Sequence, residues 1–187
     1  MARQYSPTLL GYVLLGMLKQ LPRSGYDIRI EIETAFIGHF SSSPGSIYPA
    51  LQLLKRHGII DSEICHRSRL KPREVYHVTE NGDKLLLTWL RKKLTVSDLK
   101  DNLSELMLRF QFMQNTLSNI ETLRFLTDFR RKTKTYARIL KSQTRTHSHS
   151  SPYFSLALKR EIAMVQMHNE WAGQAIKTFE VITEQQS

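Results

Sequence analysis

Apolar residues recur at spacings of three and four along most of this chain, and the rhythm changes to alternation between residues 59 and 79. Leu10, Val13, Leu14, Met17 and Leu18 fall on one helical face. Ser6-Pro7 predicts the start of that helix, because serine caps well and proline is tolerated at the first position. Leu21-Pro22-Arg23 breaks it. Ser24 with Asp27 three residues on predicts a capping box for a second helix, lined by Ile28, Ile32, Ala35 and Phe36. Ile37-Gly38-His39-Phe40 and three serines form the following turn. A third helix starts at Ser43-Pro44 or at Ser46, since Pro49 is tolerable only near a first turn, and Gly58 stops it. Two alternating segments, 59–66 and 74–79, then predict a hairpin, with Ile60 and Ile64 on one side of its first strand and Tyr76 and Val78 on one side of its second. Thr79-Glu80 opens a fourth helix through Leu85, Leu86, Trp89 and Leu90.

The third helix has two unlike arcs. Ile47, Ala50, Leu51, Leu53 and Leu54 fill one, and Gly45, Tyr48, Gln52, Lys55 and Arg56 share the other. The second arc carries donors, a small residue and no acid, which suits a DNA major groove; an ordinary solvated helix face is the competing reading. The hairpin tip, RSRLKPR, has four cations and no acid. There it reaches minor groove or backbone, or forms a solvated loop. A polar helix face beside a cationic hairpin is the layout of a winged helix-turn-helix. On that layout Tyr48, Gln52 and Lys55 are the main base contacts, with Arg56 on the same arc. Ser42, Ser43 and Ser46 add phosphate bonds, and Arg67, Arg69, Lys71 and Arg73 grip the flanking backbone.

A polar junction at 94–103 has no Gly or Pro, so a partly helical link is expected there, and helical spacing returns after it. Leu106, Met107, Phe110 and Phe112 mark one helix, and Ser118-Asn119-Ile120-Glu121 caps a long one running to about Gln143. Residues 144–153 are a polar loop. The last helix opens at Ser151-Pro152. In it Leu158, Ile162, Val165, Asn169, Ala172, Ile176 and Phe179 repeat in steps of four and three, with Trp171 beside them. That heptad seam predicts dimerisation; Asn169 either fixes its register or lies at its edge. The expected fold class is mainly α with a small β-hairpin: a winged helix-turn-helix domain over 1–95, then a coiled-coil-like helical dimerisation domain over 96–187.

Composition adds less than position. The net charge is +10 and the pI near 9.9, which suits a polyanion without identifying one. The excess is shared, with 14 Lys and Arg against 8 Asp and Glu up to residue 95 and 13 against 9 beyond it. Cys65 is the one cysteine, so no intrachain disulfide forms; in a predicted strand it reads as a small packed residue. With no signal-like apolar segment after Met1 and no 18-residue apolar run, a cytoplasmic protein without a membrane partner is expected.

Enzymatic readings find little support. His147-Ser148-His149 is flanked by Thr and Ser, without a carboxylate or thiol, and reads as a solvated loop. His57, Cys65, His66 and His77 lie close in the expected fold, but Cys65 and His66 point to opposite strand faces. No phosphate-binding loop, zinc-protease or nucleophile-elbow motif is present. No catalytic residue, cofactor or metal is expected. A protein–protein adaptor using the same fold is the alternative class.

Three segments, LGYVLLGMLKQLPRSGYDI, PGSIYPALQLLKRHGII and REVYHVTENGDKLLLTWL, closely resemble the PadR family of bacterial and archaeal winged-helix regulators. The matching features are Gly25-Tyr26 opening helix two, Tyr48-Pro49-Ala50-Leu51 in helix three, and the run from Tyr76 through Thr79 to Gly82. Tyr26 joins the DNA-contacting set. The second half resembles the long helical domain of larger members, including the virulence-activator AphA type, through helix order and EWAGQAI. The resemblance implies a homodimeric regulator on a palindromic double-stranded operator. Many relatives are repressors released by small aromatic or hydrophobic effectors; others act without a ligand, and ligand-independent activation is the alternative. For an effector, Phe154 and Trp171 are the candidate cavity residues, with core packing as the competing role.

Overall fold

Each helix forms where a cap meets an apolar stripe, and the computed structural model describes the result for residues 5–34, 43–65, 72–146 and 151–185. In chain order the elements are α1 (Leu9–Gln20), β1 (Arg23–Ser24), α2 (Gly25–Thr34), α3 (Pro44–Arg56), β2 (Ile60–Cys65), β3 (Arg73–Val78), α4 (Glu80–Leu90), α5 (Val96–Asp101), α6 (Leu103–Met113), α7 (Asn119–Thr146) and α8 (Pro152–Glu184). Ala35, Phe36, the turn at 37–42, His66, the hairpin tip at 67–71 and His147-Ser148-His149 lie outside the described residues.

The first compact unit comprises residues 1–92 and 107–116. Val13, Leu14, Leu15 and Met17 of α1 are fully buried, and α1 packs on α3, α4 and β3. Its cap is Thr8, whose hydroxyl accepts from the Gly11 amide at 3.2 Å, rather than Ser6. The Ser24–Asp27 box forms as the spacing requires, with Ser24 Oγ donating to the Asp27 carboxylate at 2.7 Å. Ser43 caps α3 and Pro44 follows at its first turn.

The breaker at 21–23 does more than end a helix. Arg23 and Ser24 form β1, which pairs antiparallel with β3 and makes a three-stranded sheet in the order β1-β3-β2. Two residues are too short for an alternation signal. In the hairpin Ser62 lies opposite Tyr76 and Ile64 opposite Glu74. Ile60 and Tyr76 are buried, but Ile64 is 58% exposed, because the hairpin there has run past the helices that cover its base.

Gly82 is required by a close approach. Thr79 caps α4, and its amide and hydroxyl both donate to the Ile59 carbonyl, at 3.2 and 2.9 Å. A Cβ on Gly82 would collide with that carbonyl oxygen.

The second unit comprises residues 93–106 and 117–187. Residues 93–95 group with this unit and residues 107–116 with the first. There the buried Arg109 guanidinium donates to the Leu90 and Lys92 carbonyls at the end of α4, and Phe112 fills the space over Gly16. The polar junction is partly helical, as expected: it contains α5, opened by a Thr95–Asp98 capping box. Ser118 and Glu121 cap α7, which extends beyond Gln143 to Thr146.

The heptad seam is used within the chain. Leu158, Val165 and Ala172 are buried in a single copy, where α8 packs along α7. Asn169 donates to the Arg130 carbonyl at 2.8 Å and to Thr133 Oγ1 at 2.7 Å, so it fixes α8 against α7 of its own chain. Ile162, Ile176 and Phe179 are half-buried. Trp171 stands edge-on to Phe129, with ring centroids 5.8 Å apart. Repeats of four and three mark helix-on-helix packing whether the partner helix is in the same chain or another.

Gly82→Ala is expected to lose about 1–3 kcal/mol of stability by overpacking against backbone, read as a lowered denaturation midpoint in urea.

Candidate nucleic-acid interface

Burial of one side of α3 decides what its other side does. Ile47, Leu51 and Leu54 are fully buried. Gly45, Tyr48, Gln52 and Arg56 are exposed, and Ser46 and Lys55 half-buried. The polar arc expected from periodicity therefore faces outward. Tyr48 lies across Gly25, where a Cβ would come within 2.6 Å of its ring, so glycine at the opening of α2 makes room for it.

Behind this arc Glu74 of β3 gathers four side chains. Lys55 donates to Ser62 and, at 3.0 Å, to Glu74 Oε1. Ser62 donates to the same oxygen at 2.6 Å. Tyr76 donates to Glu74 Oε2 at 2.8 Å and accepts from the Gln52 amide at 3.2 Å. The bonds from Ser62, Lys55 and Tyr76 hold the Glu74 carboxyl below its ordinary range. Burial, then Glu74 itself, pushes the Tyr76 phenol up to about 12.

A second cluster lies at the loop end of the hairpin strands. The exposed Tyr26 ring carries the Arg29 guanidinium at 5.3 Å and that of Arg73 at 5.5 Å, both from the ring centroid. Arg73 also lies 3.6 Å from Asp27. Aromatic and carboxylate together orient Arg73 at the start of β3. Such exposed contacts are each worth about 1 kcal/mol or less, so they set direction more than stability.

Of the predicted DNA-contacting residues, Ser43, Ser46, Tyr48, Gln52, Lys55 and Arg56 share α3 or its cap, and Tyr26 and Arg73 meet beside β3. Ser42, Arg67, Arg69 and Lys71 lie outside the described residues. Lys55 and Gln52 already have protein partners, which helical periodicity does not reveal. The residues missed are Ser62 and Glu74; strand alternation put both on the Tyr76 face, but their polar character hid their link to α3.

Phe154 and Trp171 do not form one cavity. They are 17 positions apart on the continuous helix α8, roughly 25 Å along its axis at 1.5 Å per residue. Among the described residues no three His, Cys, Asp or Glu side chains form a group able to hold a metal ion. No described helix is long and apolar enough to cross a membrane.

A helix–turn–helix whose second helix turns a polar arc outward beside a β-hairpin is a winged helix-turn-helix, followed here by a helical region. Residues 14–88 match the model of the transcriptional regulator PadR-like family. The negative transcriptional regulator PadR of Bacillus subtilis (strain 168) is 28% identical over 106 residues, covering 56% of this chain and 57% of that protein. The chain thus spans a little over half the length of that curated relative. Among solved structures, Bacillus subtilis PadR in complex with operator DNA is 25% identical, with 92% of this chain and 99% of that chain covered and a TM-score of 0.45. A PadR-like regulator from Bacillus cereus is 23% identical, with 95% and 99% covered and a TM-score of 0.43.

The two shifted groups act at opposite ends of the pH scale. With its value lowered in the folded state, Glu74 contributes stability that is present above the ordinary value of 4.5 and lost as pH falls through the folded value. With its value raised, Tyr76 contributes stability that is present below the ordinary value of 10.0 and lost as pH rises through about 12. Tyr76→Phe is expected to remove from an ultraviolet titration the tyrosine that ionises near 12. It should also lessen the loss of stability between the two values. An unchanged titration would place that phenol elsewhere.

Proposed function

We propose that this chain binds double-stranded DNA as a homodimeric transcriptional repressor acting on an inverted-repeat operator in the cytoplasm. The observation that carries this reading is the outward arc of α3, with Ser46, Tyr48, Gln52 and Arg56, together with the oriented Arg73 at the start of β3. Polar donors on a helix flanked by cations suit base edges between phosphates. Ser43 and Tyr26 extend the same surface, and Ser42, Arg67, Arg69 and Lys71 are proposed as further phosphate contacts. The name of the Bacillus subtilis relative, a negative regulator, supports repression.

The second copy attaches through the outer side of α8. Tyr153 is 86% exposed, and Leu156 and Met167 are 64% and 54% exposed. At 100° per residue they share one face with Ala163 and Val181, away from the buried Leu158–Val165–Ala172 stripe. A paired protein offers two α3 helices to one duplex, on which half-sites one helical turn apart are separated by about 34 Å.

Selection of bound duplexes from random DNA should return an inverted repeat. Arg73→Ala should weaken all sequences alike and reduce the slope of log K against log salt by about 0.9. Gln52→Ala should relax base preference, by about 1–3 kcal/mol if its contact is bidentate. Binding that enriches no sequence and ignores salt would instead favour a protein-docking adaptor.

Leu156→Asp combined with Met167→Asp should give folded monomers in sedimentation and weaker operator binding. An unchanged dimer would put the interface elsewhere.

A further inference from the structure

Two of the side chains best placed on α3 to touch DNA are already engaged within the protein, and both lines of contact end on one carboxylate. Lys55 reaches Glu74 directly, and Gln52 reaches it through the Tyr76 hydroxyl. Each oxygen of Glu74 is used, Oε1 by Lys55 and Ser62 and Oε2 by Tyr76. This arrangement is not buried away from a ligand, since the Lys55 and Glu74 side chains retain 36% and 34% exposure.

We propose that Glu74 is a specificity-determining residue, which holds the Lys55 ammonium back from the phosphate backbone and fixes the Gln52 amide for base contact. The proposal rests on the DNA-binding function above and deepens it.

The physical reason is the difference between what a phosphate and a base edge reward. A free lysine on α3 would add a contact to any duplex, because phosphates are the same at every sequence. Held against Glu74, the same lysine adds little to random DNA. An amide whose orientation is set by the Tyr76 hydroxyl discriminates between bases only when its donor and acceptor face fixed directions. The half-exposed ion pair contributes about 1 kcal/mol or less to stability, so packing of Ile47, Leu51 and Leu54 holds α3 in place and Glu74 is left to direct its polar arc. Asp61 and Glu63 alternate onto the other face of β2, so no second acid of that strand duplicates the contact.

The test compares the full-length chain with Glu74→Gln, Glu74→Asp and the double variant Glu74→Gln/Lys55→Gln on two probes, the selected operator and a scrambled duplex, across a salt series. Glutamine has the size of glutamate without its charge. Glu74→Gln should bind the scrambled duplex more tightly, with the slope of log K against log salt steeper by about 0.9 for one released cation. Between 50 and 200 mM salt that increment is about a 3.5-fold greater loss of affinity. Preference for the operator should fall. Glu74→Asp, which keeps the charge, should stay near the parent slope, and the double variant should lose the increment. Should Glu74→Gln be poorly folded by circular dichroism, Glu74→Ala serves in its place with the same expected increment. A parent protein that binds both probes, with a slope that is unchanged or shallower in the neutral variants, overturns the role of Glu74 alone. A parent protein that binds neither overturns the DNA-binding function and this role with it.

Discussion

The burial of one stripe of α3 is the constraint from which the rest of this surface follows. Ile47, Leu51 and Leu54 are fully removed from solvent. Each contributes about 1.5–3 kcal/mol by leaving water, which together exceeds the worth of any polar contact the helix makes. A helix fixed on one side cannot choose what it shows on the other. Glycine at 45, tyrosine at 48, glutamine at 52 and arginine at 56 are then where the buried stripe leaves them. The polar arc is a consequence of the core, and its chemistry is free to vary without disturbing the fold.

That separation explains why polar contacts behind α3 have room for a directing role. The Glu74 cluster joins a helix to two strands through five hydrogen bonds among Gln52, Lys55, Ser62, Tyr76 and the carboxylate. A buried charge at such a junction would have to be fully paired to be tolerated. Here the pair keeps about a third of its surface, so water shares the load and full pairing of both charges is not required. A positive excess spread over the whole chain says that a polyanion is suited. Which cations are withheld from it is decided by single carboxylates, and neither net charge nor helical periodicity carries that information.

Much of the architecture was legible because caps and periods are local. Ser24 with Asp27, Ser43 with Pro44, Thr79 with Glu80 and Ser118 with Glu121 each mark a boundary within four residues, and each appears where those residues stand. The failures have the opposite origin. β1 is two residues whose only reason to be a strand is a distant partner at Val75 and Tyr76. Ile64 obeys alternation but lies beyond the helices that bury Ile60. On the candidate site, the outward arc of α3 was legible and the occupation of Lys55 and Gln52 was not, since a partner on another element leaves no trace in spacing.

The helical seam shows the same limit at a larger scale. Steps of four and three from Leu158 to Phe179 describe a stripe that wants a helix against it, and they do not say whose. Here the first claimant is α7, which is 28 residues long and connected to α8 by a short segment, so its effective concentration exceeds that of any second chain. Asn169 makes the assignment specific, because its amide meets a carbonyl and a hydroxyl supplied by α7 at Arg130 and Thr133. A seam consumed inside the chain moves the question of association outward, to the face bearing Tyr153, Leu156 and Met167. Those side chains follow no heptad that begins at Leu158, so a search for the strongest repeat passes over them. Their exposure in a single copy, rather than their spacing, is what marks them for a partner.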